Sequence, residues 1–169
     1  AEDPGFLLNV DWSQTKAYGM GINTLYINLK GREANGIVEP SERKALMDQI
    51  ERDLLATLDP KTGAPAITKV YKREEVYRYQ EHIDIGPDIQ MGYAKGYRGS
   101  GEGALGGIEP EVLRDNTESW TGDHIMDHEA VPGVLFSSRP LKKPAQRLED
   151  LAASILAEFG IDEEFPPSK

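Results

Sequence analysis

Cysteine is absent from the 169-residue chain, which excludes disulfides, thiolate metal sites and cysteine nucleophiles and leaves the redox compartment open. Basic residues are also scarce. Lys and Arg number 19 against 29 Asp and Glu, and a net charge of −10 repels the phosphates of DNA or RNA unless a basic patch is segregated. No such patch is visible: Arg139, Lys142, Lys143 and Arg147 are followed at once by Glu149 and Asp150, which reads as a solvated face of mixed charge. Long apolar runs are missing too, and none approaches the roughly 20 residues that span a bilayer. The opening Ala1-Glu2-Asp3-Pro4 lacks the basic and apolar regions of a signal peptide. Neither nucleic acid nor membrane is expected as a partner.

What is present suits a folded, loop-rich protein, with 38% apolar residues, 28% charged residues, 17 Gly and 11 Pro. The length predicts one α/β domain over residues 1–165 and a tail over 166–169. Phe6 to Val10 is a short apolar run, either a strand or a buried entry segment. Leu25-Tyr26-Ile27-Asn28-Leu29, closed by Lys30-Gly31, predicts a strand. Ser41 is the expected cap of a helix whose apolar stripe, Leu46, Ile50, Leu54 and Leu58, is widened by Met47 and Leu55 and stops at Asp59-Pro60. Lys61-Thr62-Gly63 reads as a turn, Ile67 to Tyr71 as a second strand, and Gly86-Pro87-Asp88 as a turn entering a strand at Ile89-Gln90-Met91. Residues 74–79 fit one helical turn or extended chain equally. Val134-Leu135-Phe136 predicts a buried strand. Leu148, Leu151, Ala152, Ile155, Leu156 and Phe159 predict an amphipathic helix ended by Gly160. This order suggests helices covering a largely parallel sheet.

The glycine-dense stretch from Gly92 to Gly107 lacks the Gly-x-x-x-x-Gly-Lys-Ser/Thr pattern, so it reads as a surface loop. Only three histidines occur, His82, His124 and His128. His124 and His128 have the spacing that puts two ligands on one helix face, with Asp123 and Asp127 beside them, but Gly122 and Pro132 bracket the segment and argue against a helix. Ser13, Thr15 and Thr121 read as capping or bridging hydroxyls. Lys16, Lys30 and Arg32 read as salt-bridging surface cations before phosphate-facing ones, and Trp12 and Trp120 as packing residues.

The string Trp120-Thr121-Gly122-Asp123-His124, followed by Val131-Pro132-Gly133-Val134-Leu135-Phe136, resembles the last metal-ligand segment of type I phosphodiesterase/nucleotide pyrophosphatases, in the alkaline phosphatase superfamily. Asp11-Trp12-Ser13-Gln14-Thr15-Lys16-Ala17-Tyr18, residues 25–33, Asp59-Pro60-Lys61-Thr62-Gly63 and Gly86-Pro87-Asp88-Ile89 are similar to other segments of these predicted phosphohydrolase/phosphomutase relatives, so the likeness runs nearly end to end.

The resemblance implies the C-terminal portion of an alkaline-phosphatase-like sheet flanked by helices. It also implies that His124 completes one of two adjacent divalent-metal sites, commonly zinc, in a hydrolase of phosphate mono- or diesters. It gives His128 and Asp123 no ligand role. The family's Ser/Thr nucleophile, its metal-binding aspartates and its Asp-His-Gly motif come before the Asp-Trp-Ser stretch and are not found in this sequence. The chain is therefore expected to be a fragment, inactive and metal-poor alone. Its expected partners are the missing N-terminal part of the same protein and a phosphate-ester small molecule, with a tendency to homodimerise through exposed sheet edge. The alternative reading is a non-catalytic binding or interaction module that keeps half of the fold.

Overall fold

The computed structural model describes residues 10–77, 81–104, 107 and 110–161. The expected entry segment at Phe6, the tail at 166–169 and part of the 74–79 segment lie outside them. The chain divides into two compact units, Ala1–Pro132 and Gly133–Lys169.

The first unit is a four-stranded antiparallel sheet with helices. β1 (Ala17–Met20) and β2 (Thr24–Ile27) form a hairpin paired from Ala17↔Ile27 to Met20↔Thr24. A 14-residue helix, α1 (Arg43–Ala56), leads to β3 (Ile67–Lys72), followed by the single turn α2 (Arg73–Val76). A 3-10 turn at Ile83–Ile85 precedes β4 (Ile89–Tyr93), and the four-residue α3 (Gly101–Ala104) follows. The sheet order is β1-β2-β4-β3, with every neighbouring pair antiparallel. The expectation of a largely parallel sheet is corrected here. β2, α1 and β3 do form a strand-helix-strand unit with parallel strands, but β4 inserts between β2 and β3 and runs against both, splitting the unit.

Side-chain alternation builds the core. Leu25, Ile27 and Leu29 on one side of the β2 path, and Ile89, Met91 and Tyr93 on β4, join Val38, Met47, Ile67 and Val70. Ile67 and Val70 both reach this core although three residues apart, because a bulge at Thr68 lets Ile67 pair with Tyr93 and Lys69 with Gly92, shifting the register. α1 adds Leu46, Met47, Ile50 and Leu54. Two details differ from expectation. Glu42, not Ser41, precedes the helix, after a turn in which Glu42 N–H donates to Glu39 O at 2.9 Å, and no side chain caps it. The helix ends at Ala56, where the Thr57 hydroxyl takes the Asp53 carbonyl at 2.9 Å, and Leu58 leaves the stripe to bridge Pro65, 55% exposed.

An ionic clamp lies under these elements. Asp88, fully buried at the entry to β4, accepts the Ile27 N–H at 2.6 Å, Arg32 Nη2 at 2.6 Å and Arg43 Nε at 2.7 Å. Arg43 Nη2 also lies 2.6 Å from Asp88 Oδ1, but its N–H directions miss hydrogen-bond geometry, so the bond runs through Nε. Burial alone raises the Asp88 carboxyl. The bonds from Arg32, the Ile27 amide and Arg43 outweigh it and hold the group below its ordinary value. Arg32, expected as a surface cation, is thereby drawn inward.

In the second unit, α4 (Asp150–Glu158) ends as expected at Gly160. Gly160 has φ 75°, its N–H bonds Ala157 O at 3.2 Å, and Ile161 N–H bonds Leu156 O at 3.1 Å, the paired bonds of a Schellman cap. The expected buried strand at Val134-Leu135-Phe136 does not form. The second unit has no strand of its own among its described residues to offer it a ladder, and Val134 and Phe136 are 81% and 90% exposed.

Candidate functional site

The segment carrying His124 is a loop, not a helix, and two aspartates build it. Asp123 Oδ1 accepts the N–H groups of His124 at 2.6 Å and Ile125 at 3.1 Å, closing a tight turn, while Asp123 Oδ2 lies 3.1 Å from Arg98 Nε. Met126 then bridges Tyr93 in parallel, and Asp127 N–H donates to Tyr93 O at 3.0 Å, adding an isolated bridge at the C-terminal end of β4.

Asp127 is the anchor. It is 4% exposed; its Oδ1 accepts Glu129 N–H at 2.8 Å and its Oδ2 accepts the Tyr71 hydroxyl at 3.0 Å. The Asp127 carboxylate occupies the place where a Cβ on Gly92 would sit, 2.3 Å from Oδ2, so the strand must carry glycine there for the loop to dock. Burial, reinforced by Asp127, pushes the Tyr71 hydroxyl up to about 12. His128 Nδ1 lies 3.1 Å from the same hydroxyl, which spends its proton on Asp127 and accepts in return. Thus the acidic neighbours that gave the His124–His128 spacing a metal-site look are spent on backbone, tyrosine and arginine.

His124 itself is presented outward, its side chain 89% exposed. It stands at a cleft of about 280 Å³ lined by Ile22, the 98–101 segment, Trp120 and the 122–124 turn. The glycine-dense stretch reaches this place through Gly99, where a Cβ would lie 2.4 Å from the Ile22 carbonyl oxygen. The same carbonyl accepts the Tyr93 hydroxyl at 3.0 Å, tying the β1–β2 turn to β4. Trp120, expected as a packing residue, is 71% exposed; Trp12 packs edge-on against Tyr18 at 5.3 Å. Ser13 and Thr15 bond Asp11, as expected of bridging hydroxyls.

A catalytic zinc takes three protein ligands and an open position. Among the described residues no three His, Asp or Glu side chains converge. His124 is thus not joined by two further such side chains among the described residues. His82, exposed on a left-handed backbone at φ 64°, and His128 are not gathered into a ligand cluster with it. Arg98 and Ser100, which sequence reading passed over, are the polar groups brought closest to His124's cleft besides Asp123. Their only sequence signal is the Tyr97-Arg98-Gly99-Ser100-Gly101 run inside a glycine-rich loop. Among the described residues no helix is long and apolar enough to cross a membrane. No family model, no curated protein and no solved structure matches this chain.

Proposed function

We propose that this chain forms part of a metal-dependent hydrolase of phosphate mono- or diesters, of the type I phosphodiesterase/nucleotide pyrophosphatase kind, on an alkaline-phosphatase-like sheet. His124 is its contribution to a divalent-metal site, with zinc the expected ion. The observation that carries the reading is the presentation of His124: an exposed imidazole on a loop pinned by two aspartates, at a cleft that also holds a guanidinium. Such pinning fixes a ligand's position before the metal arrives. Bound ions of this class stabilise charge on the attacking and leaving oxygens of an in-line displacement at phosphorus. The chain's own residues hold the imidazole in place, wall the cleft and supply positive charge through Arg98. In this reading the nucleophile and remaining ligands are supplied by residues other than those of this sequence, and the substrate is a small phosphate ester.

Hydrolysis of bis-p-nitrophenyl phosphate by the full-length gene product and its His124→Ala variant tests this. Activity in the parent that falls on the order of 100-fold or more in the variant, with folding unchanged by circular dichroism, is expected for a lost ligand. Because no second ligand converges on His124 among the described residues, a non-catalytic binding module is the competing reading, and an inactive, metal-free full-length product favours it.

A further inference from the structure

The cleft beside His124 has a polar end and an apolar wall, and neither is explained by a single metal-donating histidine. At the polar end, Arg98 Nε lies 3.1 Å from Asp123 Oδ2 and 3.3 Å from the Gly99 carbonyl, and Nη1 reaches the Trp120 carbonyl at 3.5 Å. Nη2 has no partner among the described residues. A guanidinium offers five N–H donors in a planar fork suited to two oxygens of a phosphoryl group, so these contacts hold Arg98 in place without exhausting it. Ser100 Oγ accepts the Gly103 N–H at 2.9 Å, which uses a lone pair and leaves the hydroxyl proton to donate. The carboxylate in the cleft, Asp123, is turned to Arg98 and to the backbone N–H groups of His124 and Ile125. Glu102, the acidic residue that follows Gly101, pairs with Arg114 at 3.1 Å, and its charge also lies within reach of Arg98. The wall is Trp120 and Ile22, 71% and 42% exposed. The volume, about 280 Å³, sits near the lower end of small-molecule sites, roughly 300 Å³.

We infer that this cleft binds the phosphoryl or phosphonyl group of a small organic anion through Arg98 and the Ser100 hydroxyl, with the organic arm lying against Trp120 and Ile22. The inference rests on the hydrolase reading for its placement beside His124, and it gives that site a substrate class: esters whose organic arm is apolar and flat enough to lie on an indole face. Asp123 sets the strength of the subsite, because its carboxylate competes with the ligand for the Arg98 charge.

Calorimetric titration of the full-length protein in EDTA with phenylphosphonate, which has no ester to cleave, and with inorganic phosphate separates this inference from metal-dependent turnover. Saturable binding of phenylphosphonate is expected, tighter than that of phosphate, with the difference removed by Trp120→Ala. Arg98→Gln is expected to weaken both ligands roughly tenfold or more, the scale of a lost charge-assisted hydrogen bond. Asp123→Asn keeps a carbonyl oxygen for the turn and frees the guanidinium, so it is expected to tighten binding severalfold; a purely structural Arg98–Asp123 pair gives no such gain. Should Arg98→Gln fail to fold, the Asp123→Asn arm decides alone. The inference is overturned by the absence of saturable phenylphosphonate binding, by a folded Arg98→Gln protein that binds as the parent does, or by unchanged or weaker binding in Asp123→Asn. Loss of hydrolysis in His124→Ala alongside any of these outcomes leaves the hydrolase reading standing while the subsite falls.

Discussion

At the scale of single residues, two glycines and two aspartates decide where His124 stands. Gly99 lets the glycine-rich loop press on the Ile22 carbonyl, and an added Cβ would meet backbone rather than a movable side-chain tip. Gly99→Ala is therefore expected to cost ~1–3 kcal/mol, the usual penalty of overpacking, read as a lower urea midpoint with an unchanged slope. An unchanged midpoint would mean that the loop lies elsewhere. Asp127→Ala removes the acceptor of the part-buried Glu129 N–H and Tyr71 hydroxyl bonds, at about 1 kcal/mol for each bond lost. Its further signature is faster amide exchange over residues 123–130, because the anchor of the His124 loop is gone. The sequence showed Asp127 only as an acidic neighbour of His128. Its real partners, Tyr71 and Gly92, are distant in the chain, and no local pattern joins them.

At the scale of elements, the strands were legible and their neighbours were not. The strand at Leu25, the strand at Ile67, the turn before Ile89 and the Gly160 helix stop all follow from local chemistry: β-formers, a proline turn, a left-handed glycine. The insertion of β4 between β2 and β3 depends on pairings across the chain, which alternation cannot report. The Val134-Leu135-Phe136 run failed as a strand for the same reason, since an apolar run needs an available ladder as well as β-forming residues. The Asp88 clamp joins β2, β4 and α1 through Arg32 and Arg43, and Lys72 reinforces the helix by bridging Asp48 and Glu51, each at 2.6 Å. Asp88 and Glu74 titrate below their ordinary values in the fold, and Asp48 is held at about 2. A depressed carboxyl contributes stability that is complete above its unfolded value, 3.8 for Asp88, and is lost as pH falls through the lower folded value. Stability is thus expected to drop as pH goes below about 4. Asp88→Ala, which strands two arginines, is expected to cost about 3–5 kcal/mol at neutral pH and to flatten that acid dependence. A variant with the parent's acid profile would show that the clamp does not act as one unit.

For the whole molecule, the central issue is completeness of the site. The proposed hydrolase reading assigns one ligand, His124, and no cluster of three His, Asp or Glu side chains forms around it among the described residues. Exposed apolar groups on the second unit, Phe136 and the 77% exposed Phe159 among them, form the kind of surface that association covers. The chain by itself is accordingly expected to run as a dimer in light scattering at high concentration, and a monomeric mass there would remove that expectation. Metal stoichiometry addresses the central claim most directly. Zinc per chain is measured by mass spectrometry after exhaustive buffer exchange, on the full-length gene product and on His124→Ala. Two ions in the parent, falling to one or none in the variant with folding intact, is the expected result. A parent that retains no metal, or a variant that retains as much as the parent, contradicts the assignment of His124 and with it the hydrolase reading.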